Sequence, residues 1–269
     1  MARRSSLIMR MRELARICAA VALVLVVSIS CSKVPLTGRN RLLLVSESTE
    51  IALGLDTYKQ ILSESKLSSD EEQVRRIRLI GSRIAQATGK DYAWEFNLIE
   101  ADSVYNAFCL PGGKVAVYTG ILNLAQTDDE LATVMAHEIA HAIARHGAER
   151  MSQMLLVQLG GIALEEALKT RSETTVELAK VAYGAGTGLL YVLPYSRTHE
   201  QEADYMGLIY MAKAGYDPHA AISFWEKMQR EFEGREPPEF LSTHPSSQRR
   251  IENLKRWLPE ALKYYKPAD

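Results

Sequence analysis

The run His137-Glu138-Ile139-Ala140-His141 constrains this chain more than any other feature, because it sets two imidazoles on one face of one helix. Thr127 opens that helix as an N-cap, Glu130 completes a capping box, and Asp128 and Asp129 offset the helix dipole. Leu131, Val134, Met135, Ile139 and Ala142 supply apolar positions, so other elements must pack around it. Histidines at i and i+4 lie one turn apart, close enough to share one tetrahedral metal ion. Glu138 is rotated about 100° from His137 and reaches a water on the metal rather than the metal itself. Zinc lowers the pKa of such a water toward about 7, and a nearby carboxylate can take its proton during attack on a peptide carbonyl. The pattern predicts one zinc ion per chain and peptidase chemistry.

A third protein ligand must complete the site and leave a position for water. A third histidine ten residues after the first is ruled out, because position 147 is Gly. His146 lies nine residues after His137, half a turn round the helix, so it is not expected to join the same site and reads as structural. A glutamate from a later helix is the remaining source, with Glu165, Glu166, Glu173, Glu177, Glu200 and Glu202 as candidates. Glu200 is preferred. It forms an i,i+4 pair with Asp204, so one can bind metal while the other accepts a hydrogen bond from a ligating histidine. Glu202 is the second choice. A structural zinc site is disfavoured, since such sites use four protein ligands, usually with cysteines. A chaperone or adaptor that keeps zinc and rarely cuts remains as a competing reading.

The rest of the chain reads as α+β and mainly helical, with a small mixed sheet beside the metal-binding helix. A helix starts near Ser69, strands are expected at 94–99 and 114–119, and 151–193 reads as largely helical. Further helices are expected at about 199–213, 218–232 and 246–264. The formal net charge of −1 argues against a nucleic-acid partner. Residues 1–30 hold five arginines and one glutamate; without them, 27 basic residues face 32 acidic ones, a net of −5. Those arginines precede an apolar run, Cys18 to Val27, that is too short to span a bilayer core and reads as an export signal. Ser28-Ile29-Ser30-Cys31 then resembles a lipoprotein processing site, with Cys31 lipidated and membrane attachment through that lipid. The expected organisation is a signal peptide over 1–30, a lipidated tether over 31–50 and a protease domain over 51–265. The expected location is the cell envelope, facing the periplasm; with Ser32 rather than Asp after the cysteine, the resemblance to Gram-negative lipoproteins implies the outer membrane. Cys109 alone remains after processing, in an apolar context that suits packing rather than reactivity.

Several segments together resemble the gluzincin metallopeptidases of the HtpX-like and CAAX-prenyl-protease group, in particular a periplasmic lipoprotein branch of the LoiP and BepA type. They are Val34-Pro-Leu-Thr-Gly38, Asn106 through Gly113, Asp129 through His141, Glu200-Gln-Glu-Ala-Asp204 with Gly207, and Ser242-Thr-His-Pro245. The resemblance implies His137, His141 and Glu200 as zinc ligands, Glu138 as catalytic base, and Asp204 as a ring-orienting or proton-donating group. It implies that His244 approaches the zinc as a switch or a transition-state donor. It also implies that 106–120 forms an active-site edge strand, with Asn106, Ala107 and Phe108 receiving an extended polypeptide by strand addition. Unfolded or misassembled envelope proteins are the expected substrates, and envelope assembly or adaptor proteins the expected partners. No helical repeat follows the protease segment, so a role through such repeats is not expected.

Overall fold

The computed structural model describes residues 31–188, 193–234, 239–244 and 247–267. The expected signal peptide over 1–30 lies outside them, as do residues 235–238 and Pro245. The chain first forms a β-hairpin, β1 (Cys31–Lys33) against β2 (Asn40–Leu42), antiparallel with Lys33 opposite Asn40. Its loop closes through Val34 N–H to Arg39 O at 2.9 Å and Gly38 N–H to Val34 O at 2.9 Å. Val34 is buried in the main core. The expected tether is therefore a folded hairpin running into a helix, α1 (Glu47–Glu64), capped by Ser46 accepting from Thr49 N–H at 3.1 Å.

Helix α2 (Glu71–Thr88) starts at Asp70, whose carboxylate accepts from Glu72 and Gln73 N–H. Its buried face, Ile77, Ile80 and Ile84, follows the i, i+3, i+7 spacing seen in the sequence and packs on β3 (Glu95–Ile99). Strands β4 (Ala107–Leu110) and β5 (Lys114–Tyr118) complete a three-stranded sheet of order β3-β5-β4. β3 pairs with β5 in parallel and β4 pairs with β5 antiparallel. Residues 106–120 are thus not one edge strand: β5 lies in the middle and β4 at the edge, joined by a Pro111-Gly112-Gly113 turn. Gly112 and Gly113 adopt φ of 85° and 79°, which an L side chain would resist.

After the single turn α3 (Thr119–Leu122) comes the central helix α4 (Asp128–Ile143). Its capping box is complete, with Glu130 N–H to Thr127 Oγ1 at 3.1 Å and Thr127 N–H to Glu130 Oε2 at 3.2 Å. Every residue from Leu131 to Ile143 is buried, because α2, β4 and later helices surround it. Helices α5 (His146–Leu168) and α6 (Glu173–Thr187) fold back on each other, and α7 (Leu193–Lys213) returns to pack lengthwise on α4. Gly207 sits at that crossing. A Cβ there would lie 3.1 Å from Ala136 C and His137 N, so the helices approach as closely as backbones allow. Helices α8 (His219–Glu231), α9 (Glu239–Thr243) and α10 (Gln248–Ala261) close the core over α4 and α7. None of the described helices is long and apolar enough to cross a membrane.

Candidate metal centre

Helix α4 presents His137 and His141 to the same side, with their Nε2 atoms 3.1 Å apart. Helix α7 brings Glu200 to meet them. Its Oε2 lies 3.4 Å from His137 Nε2 and its Oε1 3.3 Å from His141 Nε2. His244, just past α9, completes the group, with Nδ1 2.9 Å from Glu200 Oε2 and 3.1 Å from His137 Nε2. One donor atom from each of these four residues lies within 4.8 Å of all the others. Two or three imidazoles with one carboxylate is a donor set suited to zinc. Glu138 Oε1 is buried beside this group with no hydrogen-bond partner among the described residues, 3.4 Å from His244 Nε2. A buried carboxylate oxygen needs a polar partner, and a metal-centre ligand such as water would meet that need, so these residues fit a zinc ion.

Each ligand-helix ring is held at its other nitrogen. His137 Nδ1 faces Asp204 Oδ1 at 2.9 Å, one helical turn beyond Glu200. Asp204 also accepts from Arg250 of α10, whose guanidinium lies over the Trp225 ring at 3.5 Å. His141 Nδ1 faces His146 Nδ1 at 2.9 Å. The sequence reading missed this contact because α4 stops at Ile143. Arg145 takes a left-handed φ of 54°, and the turn swings His146 back onto His141 instead of carrying it round the helix. Glu202 does not join the four-donor group; it accepts from Thr37 and Arg39 of the N-terminal hairpin. Glu165, Glu166, Glu173 and Glu177 lie on α5 and α6, outside the group.

Burial pushes the Glu138 carboxyl up from its usual range. Burial also acts on Glu200, but its contacts with His137, His141 and His244 outweigh it and hold that carboxyl far below its usual range. His141 is pushed well down by burial, which favours the neutral ring a metal requires. Burial raises the Cys109 thiol, and this half-buried residue packs against the core next to α4, as its apolar context suggested. Asn106, Ala107 and Phe108 run into and along β4, the strand that packs against α4. Asn106 Oδ1 accepts from Ala107 N–H at 2.9 Å, and Asn106 O accepts from Tyr118 N–H at 3.1 Å.

Residues 69–258 match the profile of peptidase family M48. A mitochondrial metalloendopeptidase OMA1 of Saccharomyces cerevisiae is 36% identical over 256 residues, covering 88% of this chain and 72% of that protein. The Schizosaccharomyces pombe protein of the same name is 39% identical over 233 residues, covering 85% of this chain and 66% of its own. A beta-barrel assembly-enhancing protease of Escherichia coli is 30% identical over 217 residues, 77% of this chain and 43% of that protein. These similarities overturn the location expected from the N-terminal pattern. The two yeast relatives, named mitochondrial, stand above the bacterial one in identity, against a lipid-anchored periplasmic or outer-membrane protein. The profile match, the relatives' identity and the clustered His137, His141, Glu200 and His244 together show that the chain belongs to peptidase family M48 and is a zinc metalloendopeptidase.

Proposed function

We propose that the chain cleaves unfolded or misassembled polypeptides, with His137, His141 and Glu200 holding the zinc and Glu138 acting as general base. The convergence of those three side chains beside the buried Glu138 Oε1, which no described residue hydrogen-bonds, carries this reading. Zinc, when bound, supplies Lewis acidity toward water and a peptide carbonyl. Glu138 would accept the proton released as water attacks the carbonyl and pass it to the departing amine, a role its orphaned oxygen suits. Asp204 would hold the His137 ring through Nδ1, with Arg250 keeping the carboxylate in place.

The edge strand β4 lies beside the metal helix and offers a place for an extended peptide to add as a further strand, with Asn106, Ala107 and Phe108 nearest its start. Pairing through backbone groups gives little side-chain preference, which suits a protease of damaged chains. One relative is named a beta-barrel assembly-enhancing protease, and that name agrees with a protease acting where chains assemble. His244 supports a second reading. Its Nδ1 stands where a fourth ligand would, so the enzyme rests latent until substrate displaces that ring. Released, the same ring would donate a hydrogen bond to the attacked carbonyl oxygen.

Glu138→Gln tests the assignment. The variant is expected to keep one zinc per chain and to lose casein cleavage by about a hundredfold or more, the usual worth of a general base. Cleavage at the wild-type rate would overturn it. A broad peptide library should show loose preference, whereas one sharp consensus would count against strand addition.

A further inference from the structure

Behind His141, a row of polar side chains leads from the metal centre to the N-terminal hairpin. His141 Nδ1 lies 2.9 Å from His146 Nδ1, and His146 Nε2 lies 3.3 Å from Glu202 Oε2. The same Glu202 oxygen accepts from Arg39 Nε at 2.9 Å and Nη2 at 2.7 Å, and Oε1 accepts from Thr37 Oγ1 at 2.7 Å. Arg39 also donates to both oxygens of Glu149, each at 2.7 Å. Glu149 accepts from His199 Nε2 at 3.0 Å, and the His199 ring stacks on His146 with centroids 4.2 Å apart. His146 is 0% exposed and Glu202 6%.

With Glu202 ionised and His146 neutral, one proton order along this row fits all of its contacts. An ionised carboxylate only accepts, so His146 donates from Nε2. A neutral His146 then offers its lone pair at Nδ1, and His141 donates to it from its own Nδ1. His141 Nε2 is left unprotonated, facing His137 and Glu200. That is the tautomer a metal needs, and a partner at the remote nitrogen normally sets it.

We propose that Thr37 and Arg39, acting through Glu202 and His146, are positioning residues that fix the metal-binding tautomer and orientation of His141. This rests on His141 being a zinc ligand, as argued above. The loop between β1 and β2 thereby becomes a working part of the metal centre. Glu202 serves the metal from two rings away.

Cobalt(II) titration of the full chain, with chelator competition and visible spectroscopy, tests this. Glu202→Gln leaves one acceptor oxygen where Arg39, Thr37 and His146 need two. It is expected to weaken cobalt binding about tenfold to a hundredfold and to alter the visible band of the bound ion. His146→Phe should do the same, and Arg39→Ala should weaken binding to a smaller extent. The Glu202→Gln/His146→Phe double variant should bind no more weakly than the worse single variant, since both interrupt one row. Glu149→Gln, which leaves the Glu202–His146 contact in place, should lower Tm and keep the wild-type band. Should His146→Phe fail to fold, Glu202→Gln and Arg39→Ala still decide. Unchanged affinity and band in folded Glu202→Gln, additive losses in the double variant, or an equal band change in Glu149→Gln would overturn the proposal. A wild-type chain that binds no cobalt would instead overturn the ligand assignment itself.

Discussion

Helix α4 and the arm formed by α5 and α6 are neighbours in the chain, yet they meet solvent in opposite ways. Along α4, everything from Leu131 to Ile143 is buried. Beyond Gln153, no residue of α5 is buried, and none of α6 is either. Met154, Ile162, Leu178 and Val181 are all more than half exposed. Both segments are rich in apolar residues, so hydrophobic content alone does not decide which becomes core. What differs is the number of partners. Helices α2, α7 and α8 and strand β4 all pack on α4, whereas beyond Gln153 the described arm is held chiefly by its own pairing, Tyr183 Oη to Val157 O at 2.8 Å and Lys180 to Glu165 at 2.5 Å. Rigidity is thereby concentrated where ligand positions must be kept within tenths of an ångström.

The sharpest way to test this contrast is Trp225→Ala. Trp225 is fully buried and lies under the Arg250 guanidinium that holds Asp204. Its removal should cost about 3–5 kcal/mol in denaturant unfolding and weaken metal binding with it. A loss below about 1 kcal/mol would mean the core around α4 is not packed as described.

A smaller effect is expected at Glu149, where burial is outweighed by hydrogen bonds from Arg39 and His199 and the carboxyl falls from 4.5 to about 2. Its contribution to stability is complete above the ordinary value of 4.5 and is lost as pH falls from there toward 2. Glu149→Gln should cost about 1.5–3 kcal/mol at neutral pH and flatten the acid limb of a Tm-against-pH curve. An unchanged acid limb would remove Glu149 from the list of groups that tie the hairpin to the core.

Next comes Gly207→Ala. The added methyl would press on Ala136 and His137 backbone atoms at 3.1 Å, and overpacking of this kind should cost about 1–3 kcal/mol. Metal affinity measured alongside would show whether spreading α4 from α7 also parts Glu200 from the histidines.

The smallest effect belongs to the arm. Leu178→Gln with Val181→Gln should shift stability by no more than about 0.5 kcal/mol, because neither side chain is buried. A loss of several kcal/mol would erase the contrast between α4 and the arm.

Much of the central helix was legible from local signals. Thr127 and Glu130 mark its start within four residues, and the His137–His141 spacing fixes which side faces a metal. The spacing of Glu200 and Asp204 likewise foretold that both would lie on one face, and both face the histidines. Helix α1 escaped the reading although Ser46 caps it, because apolar Leu42 to Val45 drew attention to a tether instead. His146 escaped because a helical wheel assumes the helix continues, and nothing in Arg145 announces a left-handed turn. Arg39 and Glu202 stand 163 residues apart, beyond the reach of any periodicity or motif. Short-range rules recover elements and their faces; the partners of a buried charge become visible only once the chain has closed on itself.

The loop at 34–39 also bears on how this protein is handled. The family match begins at residue 69, so a recombinant fragment trimmed to that boundary would retain all the histidines and discard Thr37 and Arg39. Such a fragment would mislead, its poor metal retention being read as a property of the enzyme rather than of the scissors. Chimeras that exchange catalytic domains between relatives need to carry this short loop along with its cognate helix, as lock and key cut from one blank.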